Sequence, residues 1–370
     1  MNKYFLLGFM LIFFIACIND SEKGAENDTP RSFLMGFTPW PHNATEEAVN
    51  WTYEKTNENG DIISHHIEQG VPWPEAYNGI SFSAEFQTEI DSRILRYRAG
   101  KKVLLSVSPL NMERNGLAFY RGSSESMVLP SPWDSYALNS SEVKSAFFNY
   151  VERMVLSFQP DYLIIGVEVN LLIRNNPSLW KPYVELHDDV YIRLKKKYPD
   201  LSVGVSVFCV PFFPEWSPGD DIVSQLSGLT DLENTSDFIA FSVHPFMSSL
   251  TAESFPEDYL KTLFAMTDKP VAVSESSYPA QNWKTITEPI IEFNGTPEKQ
   301  NAFLSSLLVE SNNADALFVI WFSIHDYDAL WEGLLNKNPL ALVWRDTGLF
   351  DESGNGRISL ALWQSWYKKK

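Results

Sequence analysis

Cysteine is nearly absent from the 370-residue chain, occurring only at positions 17 and 209. Cys17 ends an apolar N-terminal stretch and Cys209 lies inside the apolar run 203–210. A disulfide framework is therefore excluded as the organising device of the fold, and Cys209 reads as a buried, inert thiol. Glycine-rich phosphate loops are missing as well. Neither G-x-G-x-x-G nor G-x-x-x-x-G-K-[ST] occurs, which removes the sequence basis for a nucleotide site. There is no G-x-S-x-G, so a serine nucleophile on a strand–helix elbow is not supported. Positive charge is scarce: 29 Lys and Arg stand against 47 Asp and Glu, a net charge of −18. Such a chain is repelled by nucleic acid and by anionic membranes. The apolar run 4–15 is too short to span a bilayer comfortably.

That run does have the form of an export signal. Lys3 supplies a positive n-region, 4–15 is almost wholly apolar, and Ala16-Cys17 follows. Phe14-Ile15-Ala16-Cys17 resembles a bacterial lipobox, with Phe14 in place of the usual leucine. The resemblance implies cleavage before Cys17 and lipid attachment to it. Residues 1–16 are then a leader, 17–30 a polar tether, and 31–370 the folded domain. Losing the leader removes one lysine and no acid, which leaves a net charge of −19. The expected location is the outer membrane, the cell surface or a periplasm-facing leaflet, with membrane contact only through the lipid anchor.

Eight β-branched apolar runs recur downstream, at 33–37, 61–66, 102–107, 162–167, 202–208, 238–243, 271–274 and 317–322. Most are continuously apolar, as in parallel strands buried on both faces. Helical periodicity fills the intervals. Val143, Phe147, Tyr150, Val151, Met154, Val155 and Phe158 recur at three and four residues after a cap at Ser140 or Ser141. Thr296-Pro297 opens a helix striped by Phe303, Leu304, Leu307 and Leu308. Residues 180–198 form a helix ending in Lys195-Lys196-Lys197, which suits its C-terminal dipole. Eight strands alternating with helices predict an α/β fold, a single-domain (β/α)₈ TIM barrel; an open doubly wound sheet is the alternative. Residues 108–139 form an unusually long connection after the third strand, a candidate wall for a cleft.

In such a barrel, active sites lie at the carboxyl ends of the strands. Two glutamates stand there, Glu168 after Tyr162-Leu-Ile-Ile-Gly-Val and Glu275 after Pro270-Val-Ala-Val-Ser. Paired carboxylates from different strands are what acid/base cleavage of a glycosidic bond requires. The other strand ends supply Trp40, His65, Glu68, Trp73, Asn170, His244, Tyr278, Trp321 and Asp326 as candidate substrate-binding residues. These are aromatic faces for pyranose rings and polar groups for hydroxyls. The aromatic share, 14% with 12 Trp, fits either such platforms or a large core.

Phe241-Ser242-Val243-His244-Pro245-Phe246 is similar to the Ser-Tyr-Tyr-Pro-Phe segment of family 53 endo-β-1,4-galactanases. Glu275-Ser276-Ser277-Tyr278 is similar to their Glu-Thr-Ala-Tyr segment, and Gly166-Val167-Glu168 takes the place of their Gly-Asn-Glu. The chain thus resembles the clan of retaining (β/α)₈ glycoside hydrolases over about residues 31–367. The resemblance implies double displacement on a neutral β-linked glycan. Glu275 is the nucleophile and Glu168 the acid/base, held protonated by burial or by the Glu275 charge. Tyr278 or His244 orients the nucleophile, and Trp321 floors the subsite. Val167 departs from the clan's asparagine before the acid/base, which keeps open a catalytically degenerate, glycan-binding barrel. A metal-dependent barrel hydrolase is a further alternative. However, adjacent residues His65 and His66 point to opposite faces of a strand and cannot easily share one ion. No cofactor and no metal are expected, and the oligomeric state is left open.

Overall fold

The computed structural model describes residues 30–248, 258–285 and 292–369. The leader, most of the tether and Cys17 lie outside these residues. Among the described residues, no helix is long and apolar enough to cross a membrane.

Eight parallel strands close into a barrel. They are β1 (Leu34–Phe37), β2 (Ile62–Ile67), β3 (Lys102–Val107), β4 (Tyr162–Ile164), β5 (Ser202–Phe208), β6 (Phe238–Val243), β7 (Val271–Ser276) and, after the small hairpin β8 (Asn282–Lys284) and β9 (Glu292–Asn294), β10 (Phe318–Trp321). Each of β1 to β6 pairs with its successor, and β10 closes the ring between β7 and β1. The fold is the single-domain (β/α)₈ barrel that the continuous apolar runs predict; the antiparallel hairpin was not foreseen.

Side-chain alternation sorts each strand into two environments. Inside the barrel Ile62, Leu104, Ile164, Phe238, Ala240, Ala272, Phe318 and Ile320 form a closed apolar cluster. The rings of Tyr162, Phe238 and Phe318 meet edge to face within it. On the outer faces, Met35, Phe37, Leu105, Val107, Val205, Val207 and Val273 join the much larger layer beneath the helices. Gly36 is required by packing, because a Cβ there would lie 1.9 Å from the Ile62 carbonyl of β2.

Higher in the barrel the interior becomes small and polar. Ser64, Ser106, Ser206 and Ser274 are buried, and Ser274 Oγ donates to Ser206 Oγ at 3.2 Å. Above the serines come His66, Ser242 and the two glutamates. The interior thus passes from an apolar plug to a charged mouth.

Helices follow the sequence signals closely. Ser140, rather than Ser141, caps Ser141–Phe158 by accepting from Val143 N at 3.3 Å. Thr296 caps Pro297–Asn313 through Lys299 N at 3.2 Å. The helix Trp180–Lys197 carries its three lysines in its last turn. The long segment after β3 is packed rather than loose, held by isolated bridges Leu110–Leu117, Tyr120–Met127 and Val71–Tyr120.

Candidate active site

β4 ends early, at Ile164, and the chain then leaves the ladder. Gly166 allows this, since a Cβ there would lie 2.3 Å from the Tyr183 hydroxyl. Val167 turns into the barrel's apolar interior, and Glu168 follows with a left-handed φ of 49°. Positive φ costs free energy in a non-glycine residue and clusters at functional sites. Here it lifts the Glu168 carboxyl to the mouth, where Ser242 Oγ donates to Glu168 Oε1 at 2.7 Å.

Glu275 arrives by a different device. Phe241 pairs with Val273, but the next residue of β6, Ser242, pairs with Glu275. Ser274 is therefore a bulge. Strict alternation from Val273 would send Glu275 outward; the extra residue resets the phase and turns it inward beside Ser242. Both glutamates stand at one end of the barrel, on either side of Ser242.

Between them runs a chain of alternating charges. His66 Nδ1 lies 3.6 Å from Glu275 Oε1, and His66 Nε2 donates to Glu68 Oε2 at 2.6 Å. Arg114 Nη2 lies 2.8 Å and 3.0 Å from the two Glu68 oxygens, and 3.6 Å from Glu168 Oε2. Arg114 comes from the long segment after β3, with its side chain only 3% exposed.

The electrostatics follow from this packing. Burial works against charge on His66, but the Glu275 and Glu68 carboxylates outweigh it and lift the imidazole to about 9. Burial likewise opposes charge on Glu68, where Arg114 and then His66 prevail and lower its carboxyl. At Glu275, burial dominates; His66 opposes it, Glu168 and Glu68 add to it, and the carboxyl rises to about 7. Glu275 is thus held closer to protonation at neutral pH than a free carboxylate.

Of the nine candidate substrate-binding residues, the structure brings few to this mouth. Glu68 is there, but tied up between two cations. Trp40 is half-buried at the exit of β1, its ring 5.8 Å from that of Phe322. His244, on the inward phase of β6, is buried; its Nδ1 meets Ser277 Oγ at 2.8 Å, and burial drops it to about 3, leaving a neutral ring.

The others face elsewhere. His65 points outward against Tyr97 and Phe158; alternation gives the mouth to His66 instead. Trp73 is wholly buried under the long segment, stacked on Trp133 and donating to the Ala118 carbonyl at 2.9 Å. Asn170 clamps β5, accepting from Phe208 N at 2.7 Å and donating to Phe208 O at 3.0 Å and Gln225 Oε1 at 2.9 Å. Tyr278 packs among Phe246, Phe293 and Phe303. Trp321 sits in the helix layer against Phe303 and donates to the Thr347 carbonyl at 3.0 Å. The aromatic on the inward phase of β10 is Phe322, half-buried beside Trp40. Asp326 is paired with Arg357 through both oxygens, at 2.9 and 2.6 Å, and accepts from Gly348 N at 2.8 Å.

Asp326, Asp328 and Asp346 form a carboxylate cluster among the described residues. Arg345 and Arg357 already neutralise it, with Arg345 Nε 3.3 Å from Asp328 and 2.8 Å from Asp346. The sequence places His66 at a strand exit but favours His65 over it, and it gives no role to Arg114 or Phe322. Alternation from Ile62 and Phe318 identifies His66 and Phe322; no local signal marks an arginine delivered by a long loop.

No family model and no curated protein sequence matches the chain. Solved structures do match its fold. An exo-β-1,4-mannosidase from Opitutaceae bacterium strain TAV5 is similar over 92% of this chain, with 13% identity and a TM-score of 0.60. The chain spans about 60% of that protein's length. Fungal β-1,4-galactanases are similar over 90% of this chain and 99% of theirs, with 14% identity and a TM-score of 0.57. The GH53 catalytic domain of Ignisphaera aggregans is similar over 94% and 98%, with 16% identity and a TM-score of 0.57. At these identities the likeness establishes the barrel shared with such glycoside hydrolases, not the chemistry at its mouth.

Proposed function

We propose that this chain is a retaining glycoside hydrolase that cleaves a neutral β-linked polysaccharide or oligosaccharide, galactanase-like in type. The observation that carries the reading is the convergence of Glu168 and Glu275 on Ser242 at one mouth of the barrel. Ser242 is paired across one strand spacing, about 4.8 Å, with Glu275, and its hydroxyl holds Glu168. The two carboxyls also feel each other's charge, Glu168 adding to the rise of Glu275, which supports a close pair of the retaining kind.

In this reading Glu275 attacks the anomeric carbon while Glu168 protonates the departing glycosidic oxygen. A glycosyl ester on Glu275 forms and the aglycone leaves. Glu168 then takes a proton from water, which attacks the same carbon, breaks the ester and restores Glu275. Two inversions give net retention. Trp40 and Phe322 provide apolar surface for a sugar face, and the long segment after β3 favours internal cleavage. An exported lipoprotein anchored through Cys17 fits such a role, and Cys17→Ser moving the protein from the membrane to the soluble fraction checks it.

The second reading is a barrel that binds glycan without cleaving it. Val167 favours it, because it buries an isopropyl group where the clan places an amide. Reducing-end release over a panel of β-glycans separates the two. Binding without any cleavage ends the hydrolase reading, and near-normal turnover by either Glu168→Ala or Glu275→Ala ends the roles given to the two glutamates.

A further inference from the structure

We propose that His66, Glu68 and Arg114 form a positioning chain that fixes Glu275 and Glu168 relative to each other, with Glu68 as the shared counter-ion rather than a sugar-binding residue. The order Glu275–His66–Glu68–Arg114–Glu168 alternates in charge at every step, with separations of 3.6, 2.6, 2.8 and 3.6 Å.

Four elements contribute: His66 and Glu68 from β2 and its exit, Glu275 from β7, Arg114 from the segment after β3, and Glu168 from the exit of β4. Both ring nitrogens of His66 face carboxylates, Nε2 in a hydrogen bond to Glu68 and Nδ1 in a longer ion-pair contact with Glu275, and the two together set the ring's tilt. Glu68 is 5% exposed at its side chain, and Arg114 3%. If Glu68 is lost, each cation keeps only a longer carboxylate contact, His66 with Glu275 and Arg114 with Glu168, both at 3.6 Å. Removing one member of a buried ionic set leaves an uncompensated charge, so the set behaves as a unit. Glu68 does not reach the mouth freely, and its contacts explain its burial without a ligand. Its role is therefore to hold the two cations that hold the two glutamates.

This chain rests on the proposed hydrolase reading for its catalytic consequence but not for its existence. The decisive measurement is the titration of His66 by NMR in histidine-labelled protein, its signal assigned by loss in His66→Gln. The charged groups facing His66 are Glu275, Glu68 and Arg114. In the wild type His66 titrates well above the ordinary value of 6.5, and Glu68→Gln and Glu275→Gln each bring it down by a unit or more. A wild-type titration near 6.5, or a value unmoved in both variants, overturns the proposal. Should Glu68→Gln fail to fold, the wild type and Glu275→Gln decide alone.

On a cleaved glycan, Glu68→Gln lowers kcat on the order of 100-fold through misplaced carboxyls with KM nearly unchanged. A raised KM at unchanged kcat restores Glu68 as a sugar-binding residue and overturns the chain. If the wild type cleaves no glycan while His66 titrates as expected, the hydrolase reading fails and the chain stands.

Discussion

His66 Nδ1 stands 3.6 Å from Glu275 Oε1, while the neighbouring His65 faces the opposite way, into Tyr97 and Phe158. One residue of phase separates a group at the centre of the candidate site from a group buried in the shell. The consequences differ accordingly.

Glu275 is raised to about 7 by burial, with His66 acting against the rise. A nucleophile must be ionised, so kcat/KM rises with pH through about 7. His66→Gln removes the cation that favours ionisation, and the rising limb shifts to higher pH. Measuring kcat/KM from pH 5 to 9 checks this. A limb that stays in place, or moves to lower pH, contradicts the role given to His66.

Glu168 and Glu275 are distinguishable by leaving group. A general acid contributes roughly 10²–10⁴-fold, and only where the departing oxygen needs a proton. Glu168→Ala therefore loses that factor on natural glycan but far less on an aryl glycoside with an acidic phenol. Glu275→Ala fails on both, and azide restores part of its turnover as an α-glycosyl azide. Equal losses on both substrates for Glu168→Ala refute the acid assignment.

His65 is a stability group rather than a site group. Burial lowers it to about 3, whereas the unfolded chain binds a proton there near 6.5. Between those values the unfolded state holds the extra proton, so this residue's contribution to stability is lost as pH falls below 6.5. His65→Leu removes the loss. Relative to wild type, the variant gains about 1.4 kcal/mol per pH unit below 6.5, or about 2 kcal/mol at pH 5 compared with pH 7. Urea unfolding at the two pH values measures it, and a pH-independent difference rules it out.

The sequence was readable where one residue's surroundings are set by its own strand. Continuous apolar runs placed all eight barrel strands within a few residues, and the exits of β4 and β7 marked Glu168 and Glu275. Reading failed where the phase changes or the partner comes from afar. The bulge at Ser274 and the early end of β4 at Ile164 have no pattern of their own. Strand-end aromatics such as Trp73 and Trp321 turned out to be shell residues, because a tryptophan next to a strand exit is as well suited to the helix layer as to a sugar. Asn170 and Asp326 carry polar groups that the backbone and Arg357 consume. Arg114 reaches the mouth only through the folded path of the segment after β3.

Trp321 and Phe322 turn that distinction into a test. Trp321 is fully buried against Phe303 and bonded to the Thr347 carbonyl, whereas Phe322 is half-buried on the inward phase beside Trp40. Truncating a buried tryptophan leaves a large cavity, and an orphaned carbonyl adds to the cost. Trp321→Ala thus loses about 3–5 kcal/mol of folding stability. Its KM on glycan, measured where it is still folded, stays near wild type. Phe322→Ala removes surface at the mouth and little from the core. It keeps most of its stability and raises KM, since an apolar sugar face loses its platform. Thermal unfolding and steady-state kinetics on the same two variants separate the roles. If Trp321→Ala raises KM while Phe322→Ala leaves it unchanged, the aromatic floor lies on the outward phase of β10, and the alternation that places His66 and Ser242 at the mouth does not extend to this strand.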